Sequence, residues 1–371
     1  MLMSMNDDFC AKRWADTIKN YEDWWNKKLD RPIVFGWHYD RAKHTRHPGA
    51  SYPLTQSMMY DENMPFEKIL DGCEYEMLTN QYFADSFPYM HTALSGPGAL
   101  AAYMGARPVV KDGGIWFFPP EDMDEDLSKL DLILDGNNRH YIRMKDYLAA
   151  AVGRFGNKAL VGMPDIGGNL DILAGYIESG ALLLALYDDP DSVKRLTWQA
   201  HKAWHRCFSE FGDIVTRPGL GYSNWAFILS QKPFYMLQCD FCYMISNDMF
   251  NEFVLLELKE TAKKMSRTIY HMDGVAQEKH LDSVLSIAEL DGVQWGPGEG
   301  KPPVCEWPEV IKKILDADKL LYYNGNMDGV EKLSKIFGKN LSRMYIQLTD
   351  AITNDNADDL MRRLDKIGIG F

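Results

Sequence analysis

The sequence predicts an α/β fold, a (β/α)8 TIM barrel with an N-terminal helical extension. Eight apolar runs of strand length alternate with segments of helical periodicity, which indicates parallel strands joined by crossover helices. The 371 residues suffice for one large barrel, and no repeat, low-complexity tract or linker divides them. A doubly wound sheet is the alternative, but the first predicted strand is not followed by a glycine-rich dinucleotide loop. We therefore expect a single domain over residues 1–371, with residues 1–30 as the extension.

The predicted elements follow one another along the chain in a regular order. Met1–Arg31 has helical periodicity and is expected to pack across the bottom of the barrel. The predicted strands are Pro32–Trp37, Gln81–Asp85, Ala159–Met163, Tyr235–Asp240, Arg267–His271, Gly292–Trp295, Leu320–Asn324 and Met344–Leu348. The predicted helices are Pro190–Phe211, Asp248–Met265, Ala276–Ile287, Trp307–Ala317, Gly329–Phe337 and Asn356–Ile367. Ile115–Pro120, behind two glycines, predicts a small hairpin on a loop.

The composition argues against several classes of function. The formal net charge is −13, whereas a protein that binds nucleic acid or an anionic membrane needs a basic face. No apolar run approaches the roughly 18–20 residues of a membrane span, and the N-terminal segment lacks the form of a signal peptide. Six cysteines are too few for a disulfide framework, and Cys239-x-x-Cys242 is best interpreted as two buried thiols. We therefore expect a cytoplasmic protein that acts on or binds a small molecule.

The most informative segment is Tyr270-His-Met-Asp-Gly, at the predicted carboxyl end of a strand. Residues i and i+2 of a strand point to the same side, so His271 and Asp273 can converge on one ligand. In an α/β barrel, catalytic residues collect at the carboxyl ends of the strands. Three interpretations stay open: the pair binds a metal, it contacts substrate without a metal, or Asp273 only fixes the tautomer of His271 or caps the following helix.

Other predicted strand ends and loops add polar and aromatic side chains to the same mouth. Trp37 and His38 end the first strand and are expected to point toward it. The further candidates for substrate binding are His91, Asp165, Asn169, Trp295 and Gln238, which is followed by Asp240. The alternative for Asn169 is an N-cap after a tight turn at two glycines. The many aromatic residues on loops and strand ends suggest a flat or aromatic substrate.

Asp85 lies at the end of the predicted second strand, beside Tyr82, Phe83 and Phe87. An apolar setting raises the pKa of a carboxyl group. Asp85 is therefore predicted to act as a general acid or base, or to bind substrate. The alternative is an ordinary aspartate in a turn.

Several motifs resemble those of the uroporphyrinogen decarboxylase superfamily. They are Asp165-Ile-Gly-Gly-Asn-Leu-Asp, Leu186-Tyr-Asp-Asp-Pro, Met244-Ile-Ser-Asn-Asp-Met-Phe, Tyr270-His-Met-Asp-Gly, Glu289-Leu-Asp-Gly-Val-Gln-Trp-Gly and Gly325-Asn-Met-Asp. The resemblance extends from about Arg31 to the C-terminus and implies a TIM barrel. It implies one of two chemistries, either cofactor-free decarboxylation of a porphyrinogen or zinc-dependent methyl transfer between corrinoid proteins and thiols or other acceptors. It also implies that Asp85 matches the catalytic aspartate of the decarboxylases and Tyr176 their active-site tyrosine.

Departures from the decarboxylase pattern favour the methyltransferase branch. True uroporphyrinogen decarboxylases carry an Arg-Gln-Ala-Gly-Arg stretch after the first strand, where this chain has Trp37-His-Tyr-Asp-Arg-Ala-Lys-His-Thr-Arg. Their late Gly-His-Gly element is missing from Ile346–Ala351. An octa-anionic porphyrinogen needs several fixed cations, so a protein with a net charge of −13 is a poor host for it.

The corrinoid-linked methyltransferases bind zinc through His-x-Cys on one strand end and a second cysteine on the last strand. In this chain His271-x-Asp273 stands at the first position, and Asp350 lies near the second. Because carboxylate oxygen is an acceptable zinc ligand, the resemblance implies that His271, Asp273 and Asp350 hold zinc or another divalent metal. The metal would activate a thiol or polarise an ether or alcohol oxygen.

The sequence thus predicts a metal-dependent methyltransferase of a corrinoid-linked system that acts on a small methylated substrate or a thiol acceptor. Asp85, His271 and Asp273 are the predicted catalytic residues, and a separate protein carrying a corrinoid is expected to dock over the mouth. One alternative is a lyase that decarboxylates a carboxylated substrate without a cofactor through Asp85. Another is a non-catalytic barrel that binds a ligand. A homodimer stays open.

Overall fold

The computed structural model describes residues 3–4, 11–51, 53–111 and 113–371, so residues 1–2 and 5–10 of the predicted extension lie outside the described residues. The strands are β1 (Met3–Ser4), β2 (Ile33–Tyr39), β3 (Asn80–Ala84), β4 (Tyr89–Met90), β5 (Arg107–Lys111), β6 (Gly114–Phe118), β7 (Leu160–Val161), β8 (Phe234–Gln238), β9 (Arg267–Asp273), β10 (Gly292–Gly296), β11 (Leu320–Gly325) and β12 (Met344–Leu348). The helices are α1 (Ala11–Trp25), α2 (Ser57–Tyr60), α3 (Phe66–Thr79), α4 (Leu100–Tyr103), α5 (Arg139–Phe155), α6 (Asn169–Ile177), α7 (Ser179–Asp188), α8 (Pro190–Val215), α9 (Asn247–Phe253), α10 (Leu255–Lys264), α11 (Leu281–Leu285), α12 (Pro308–Asp316), α13 (Met327–Phe337) and α14 (Ala357–Lys366).

A parallel sheet forms the centre of the fold. Six strands are hydrogen-bonded in the order β8-β9-β10-β11-β12-β2, and each neighbouring pair is parallel. Strands β4 and β7 form a separate parallel pair. The other edge of β2 carries the antiparallel strand β3, which pairs in turn with β1. The fold is therefore mixed α/β with a parallel central sheet and many helices, which is compatible with a TIM-barrel-like architecture.

The hydrogen-bonded ladder is interrupted on both sides of the β4–β7 pair. On the β2 side, the Val34 N–H donates to Oδ2 of Asp85, which precedes β4, at 3.0 Å. On the β8 side, the Tyr235 hydroxyl donates to the carbonyl of Pro164 at 2.9 Å and accepts from the N–H of Ile166 at 2.8 Å. The Asp85 N–H also donates to the carbonyl of Val34 at 2.9 Å. This backbone bond and the side-chain bonds keep β4 and β7 next to the six-stranded sheet.

Seven of the eight predicted strands are present as parallel strands, with ends shifted by one or two residues. The prediction for Gln81–Asp85 as the second parallel strand is wrong, because this segment forms β3 and runs antiparallel to β2, with Asn80 opposite Tyr39. The second parallel strand is instead β4, which has two residues and is too short to give a recognisable apolar run. The reversed direction of β3 moves Asp85 to the opposite end of the sheet.

The predicted helices are present, two of them in altered form. The segment Asp248–Met265 is broken at Val254 into α9 and α10, and Ala276–Ile287 begins as a 3₁₀ helix before α11. Helices α2, α3, α4, α5, α6 and α7 lie outside the predicted set. The hairpin predicted at Ile115–Pro120 is confirmed, since β5 and β6 pair antiparallel.

Helix α1 packs against the amino ends of the parallel strands. Trp25 Nε1 donates to the carbonyl of Leu229 at 2.8 Å, and the Trp25 ring lies 5.0 Å from that of Phe234, the first residue of β8. Glu22 forms an ion pair with Arg267, the first residue of β9, and its two carboxylate oxygens accept from the guanidinium at 2.5 and 2.8 Å. These contacts cover the end of the sheet that lies opposite to the carboxyl ends.

A loop before β8 fills the interior of the sheet. Its segment Ala226–Leu229 is buried together with inward-facing strand residues such as Phe35 and Met236. The ring of Phe227 stacks on that of Phe35 with centroids 5.4 Å apart and planes at 13°. Because this packing occupies the middle of the core, the clefts described below lie at the carboxyl ends of the strands.

Across the described residues, no single helix is both long and apolar enough to cross a membrane. Helices α6 and α7 meet that test only as a pair, and a bend of 111° separates them. The described cysteines are unpaired and buried, Cys239 and Cys242 among them.

Candidate active site

His271 stands near the carboxyl end of β9 and faces the interior. Its Nδ1 lies 2.6 Å from Oε1 of Gln294, which is the residue opposite it on the neighbouring strand β10. An amide oxygen only accepts hydrogen bonds, so Nδ1 carries the proton and neutral His271 has an unprotonated Nε2. The indole of Trp225 lies edge-on to the imidazole, with centroids 5.0 Å apart. These contacts hold the ring in one tautomer and one orientation, which suits a group that exchanges a proton.

Aspartates from three strand ends surround His271. Asp273 lies on the same face of β9, as strand alternation predicts, whereas Asp240 follows β8 and Asp165 follows β7. Burial raises the pKa of Asp165 to about 6, and His271 opposes this rise. Desolvation raises the pKa of Asp240 although part of this residue reaches solvent; His271 opposes that shift and Asp273 reinforces it. The mouth therefore brings together an imidazole and carboxyl groups of unequal acidity, a combination typical of sites that transfer protons.

Asp171 holds the turn that carries Asp240. Its two carboxylate oxygens accept from the main-chain N–H groups of Asp240 at 2.8 Å and of Phe241 at 2.7 Å. Burial, with the added charge of Asp240, raises the pKa of Asp171. Since Asp171 lies on α6, these bonds fix α6 against the turn after β8 and so set the position of Asp240.

Two clefts meet at Asp240. The first cleft has a volume of about 380 Å³. The apolar and aromatic side of its lining includes Ile115, Trp116 and Phe117 of the β5–β6 hairpin, and the polar side includes Asp171, Gln238 and Asp240. The second, of about 360 Å³, is lined by residues that include Asp240, Tyr243, Asp273, Glu299 and Lys301. The mouth thus has an acidic centre flanked on one side by an aromatic and apolar wall.

A third cavity, of about 240 Å³, lies at the ends of β2 and β4 and is termed the aromatic cavity. Its lining residues are Trp37, Tyr39, Cys73, Glu76, Met77, Asn80, Tyr82, Tyr89, His91 and Phe227. Burial lowers the pKa of His91 to about 4, so its imidazole is neutral at neutral pH. Two of the predicted substrate-binding residues, Trp37 and His91, therefore lie in one cavity.

Asp85 does not lie at the mouth. Because β3 runs antiparallel to β2, Asp85 comes to the amino end of β2. Its carboxylate accepts from two nitrogens of the Arg31 guanidinium at 2.6 and 2.8 Å, from Asn20 Nδ2 at 3.2 Å and from the Val34 N–H at 3.0 Å. The predicted acid–base role of Asp85 is therefore corrected to a structural one, since these donors hold it at the end of the sheet remote from His271.

Two predicted substrate-binding residues face the wrong side of their strands. Trp37 packs in the interior, so the adjacent His38 faces away from it. Trp295 follows the inward-facing Gln294 and packs instead on Trp307, immediately before α12, with ring centroids 5.6 Å apart. His38 and Trp295 therefore lie outside the mouth, because a shift of one residue along a strand moves a side chain to the opposite face. Their contact with a substrate stays a prediction.

Asn169 and Tyr176 make packing contacts of α6 rather than contacts in the mouth. The Asn169 side-chain amide donates to the carboxylate of Glu257 on α10, which ties the two helices together. The hydroxyl of Tyr176 lies against Gly105, 3.6 Å from the place where a Cβ of that residue would stand. The structure thus gives Asn169 and Tyr176 packing contacts, and the substrate-binding roles predicted for them stay predictions.

The three residues predicted to bind zinc do not form a metal site. Asp350 Oδ2 accepts from the N–H of Met327 at 2.7 Å and so caps the start of α13. Within the part of the chain that the structure describes, no group of three or more His, Cys, Asp or Glu side chains could hold a metal ion. The donor set therefore does not fit the zinc site predicted from His271, Asp273 and Asp350.

Sequence patterns miss several residues of the mouth. Gln294 is the polar member of an otherwise apolar strand, and this signal could have identified it as the inward-facing neighbour of His271. Trp225 comes from a loop with no periodic pattern. Asp171 resembles an ordinary acidic residue in the first turn of a helix, where such residues are common, so no local signal distinguishes it.

The fold and the mouth define a class of protein: a barrel-like α/β protein with a polar mouth at the carboxyl ends of its parallel strands and clefts beside it. A solved structure of similar fold is a methyltransferase from Methanosarcina mazei, with a TM-score of 0.57 and 13% sequence identity over 94% of this chain and 98% of the methyltransferase. No family model and no curated protein sequence matches the chain. The likeness at this identity concerns the fold, and the superfamily resemblance stays a prediction.

Replacing Asp165 by asparagine is expected to change how stability depends on pH. Burial raises the pKa of Asp165 to about 6 in the folded protein, whereas an aspartate in an unfolded chain titrates at ~3.9. Folding therefore favours the protonated form of Asp165. The contribution of Asp165 to the free energy of unfolding is complete below ~pH 4 and falls by roughly 3 kcal/mol as the pH rises through 6. Urea unfolding between pH 4 and 8 should show the loss in the wild type and not in Asp165→Asn. Asp248 is exposed, so Asp248→Asn should keep the pH profile of the wild type. An Asp165→Asn profile equal to that of the wild type would contradict the raised pKa of Asp165.

Proposed function

We propose that the protein is an enzyme that transfers a methyl group between a small methylated substrate and an acceptor. The observation that carries an enzymatic function is the cluster of His271 with Asp165 and Asp240 at the carboxyl ends of parallel strands, where α/β barrels carry out their chemistry. Two findings support methyl transfer: the fold shared with the methyltransferase from Methanosarcina mazei and the superfamily motif around His271.

The chemical step moves a methyl group between two heteroatoms. The bond from the methyl carbon to the donor atom breaks with its electron pair on the donor, while a nucleophilic acceptor forms the new bond to carbon. A thiol acceptor must lose its proton, and a leaving alkoxide must gain one. Nε2 of His271 takes the proton of the thiol or, when protonated, gives a proton to the leaving oxygen. Asp165 and Asp240 stabilise the positive imidazolium in either case.

We also propose that a separate corrinoid protein docks over the mouth and exchanges the methyl group there. A corrinoid held by such a partner supplies the cobalt centre that accepts or donates the methyl group. The wall of the first cleft offers exposed apolar side chains to a partner: Trp116 on the β5–β6 hairpin is 57% exposed, and Met244 after β8 is 49% exposed. Exposed apolar surface beside a cleft is typical of a site that binds another protein.

The proposed step does not pass through zinc, because Asp350 is engaged at the start of α13 and the donor set does not fit the metal. The decarboxylase alternative depends on Asp85, which Arg31 holds at the opposite end of the strands. Methyl transfer is therefore the better supported of the two chemistries.

Following a labelled methyl group tests this proposal. The protein is incubated with CD3-labelled trimethylammonium, methanol or methoxybenzene, each with a small thiol or with free reduced cobalamin as the acceptor. We expect mass spectrometry to show CD3 on sulfur or cobalt for at least one donor, above the background of reactions without protein. Label that stays on every donor would overturn the proposal. Release of carbon dioxide from a set of carboxylated small molecules incubated with the protein would support the lyase instead.

A further inference from the structure

The walls of the aromatic cavity face one another at steep angles. Phe227 packs edge-on against Trp37, with centroids 4.5 Å apart and planes at 81°, and against Tyr89, with centroids 5.1 Å apart and planes at 85°. Tyr39 and Tyr82 complete the aromatic lining. These rings are in direct edge-to-face contact and form a continuous aromatic wall, and the ring surface that faces the cavity attracts positive charge. Proteins bind methylated ammonium groups against aromatic walls.

The charged groups of the cavity also favour a cation. Glu76 brings a half-buried carboxyl group to the lining. Burial lowers the pKa of His91 to about 4 and raises the pKa of Cys73 to about 12, so both are neutral at neutral pH. Arg41 interacts with Glu76 from outside the lining; it is exposed, and its guanidinium lies 5.8 Å from the centre of the Tyr39 ring. Burial raises the pKa of Glu76, and Arg41 opposes that rise. An ammonium ion in the cavity would favour the ionised form of Glu76, the one carboxyl group among the described lining residues.

Asn80 also lines the cavity, and the residue is only 5% exposed. Its Oδ1 is fully buried, so a ligand in the cavity does not reach that atom. The selectivity of the cavity therefore rests on its aromatic walls and on Glu76.

We propose that the aromatic cavity binds a small methylated ammonium ion, held by the aromatic walls and by an ion pair with Glu76. The cavity volume of about 240 Å³ lies below the ~300–1,000 Å³ of sites for drug-sized ligands, so the ion has few heavy atoms. Phe227 lines the cavity, and Trp225, two residues earlier, contacts His271. The identification of this ion as the methyl donor rests on the proposed function, whereas binding itself does not.

Calorimetric titration of the protein with trimethylammonium chloride, without any methyl acceptor, tests the site. We expect trimethylammonium to bind and tert-butyl alcohol, a neutral molecule of the same shape, to bind at least about tenfold more weakly. Tetramethylammonium carries the same charge and should also bind better than tert-butyl alcohol, because the aromatic walls and Glu76 recognise positive charge. Equal affinity for trimethylammonium and tert-butyl alcohol would show an apolar cavity without cation selectivity and would overturn the proposal.

Charge variants locate the binding. Glu76→Gln should weaken trimethylammonium binding at least about tenfold, and Arg41→Gln should tighten it by removing a like charge. Glu67→Gln, an exposed change on the same helix α3, should leave it unchanged. Equal affinities in Glu76→Gln and Glu67→Gln, or no binding by the wild type, would refute the site. Binding without any CD3 transfer would instead refute the proposed function and leave the site in place.

Discussion

Replacing Arg31 by methionine is expected to lower the free energy of unfolding by about 3–5 kcal/mol. Both carboxylate oxygens of Asp85 accept from the Arg31 guanidinium, at 2.6 and 2.8 Å, and the Asp85 side chain is only 3% exposed. Methionine fills part of the space but leaves a buried carboxylate with Asn20 and Val34 as its described donors. Losing one partner of a buried ion pair is costly because the other charge stays out of water. Urea unfolding followed by circular dichroism measures the change.

Two variants separate this effect from the loss of any ion pair. Arg31→Met with Asp85→Asn should be more stable than Arg31→Met alone, since no buried charge is left without a partner. Arg343→Met breaks an exposed pair with Asp318 and should stay within about 1 kcal/mol of the wild type. Equal losses in Arg31→Met and Arg343→Met would contradict the structural role of Asp85.

Local periodicity was sufficient to predict the part of the mouth that lies on β9. The i, i+2 spacing puts His271 and Asp273 on one face of the strand, and the structure has them there. The same argument applied to β10 identifies Gln294, because it lies opposite His271 in the parallel pair. Such an inference needs only the ends of a strand and its direction.

Periodicity fails where the direction or the phase of a strand is misjudged. Asp85 follows a segment of strand composition, but only the pairing of β3 with β2 shows that the segment runs the other way. That pairing joins residues distant in sequence, so no local pattern encodes it. Trp295 fails by one position: its neighbour Gln294 takes the inward face, and Trp295 packs on Trp307.

The existence of the aromatic cavity cannot be predicted from the sequence, because its lining residues are far apart along the chain. Its lining comes from β2, α3, β3, the region of β4 and the loop before β8. Trp37 and His91 could be selected individually as strand-end residues, but their meeting with Phe227 and Glu76 depends on how these segments pack. Volume and enclosure are properties of the assembled site.

Replacing His271 by asparagine is expected to lower kcat for methyl transfer to a thiol by about 10²–10⁴-fold, the usual contribution of general acid–base catalysis. The asparagine amide can occupy the position of Nδ1 and donate to Gln294, but it has no atom in place of Nε2. Substrate contacts elsewhere in the mouth stay intact, so KM should change little. The rate of CD3 transfer to the thiol, at saturating donor and acceptor, measures the effect.

Two variants distinguish proton transfer at Nε2 from a packing role of the His271 ring. Gln294→Leu keeps the imidazole but no longer fixes its tautomer, so we expect a smaller loss of about tenfold and a changed pH profile. His44→Asn makes the same substitution on an exposed loop, at a backbone φ of 58° that asparagine tolerates, and should leave kcat unchanged. If His271→Asn kept wild-type kcat with a thiol, the proton would not pass through Nε2.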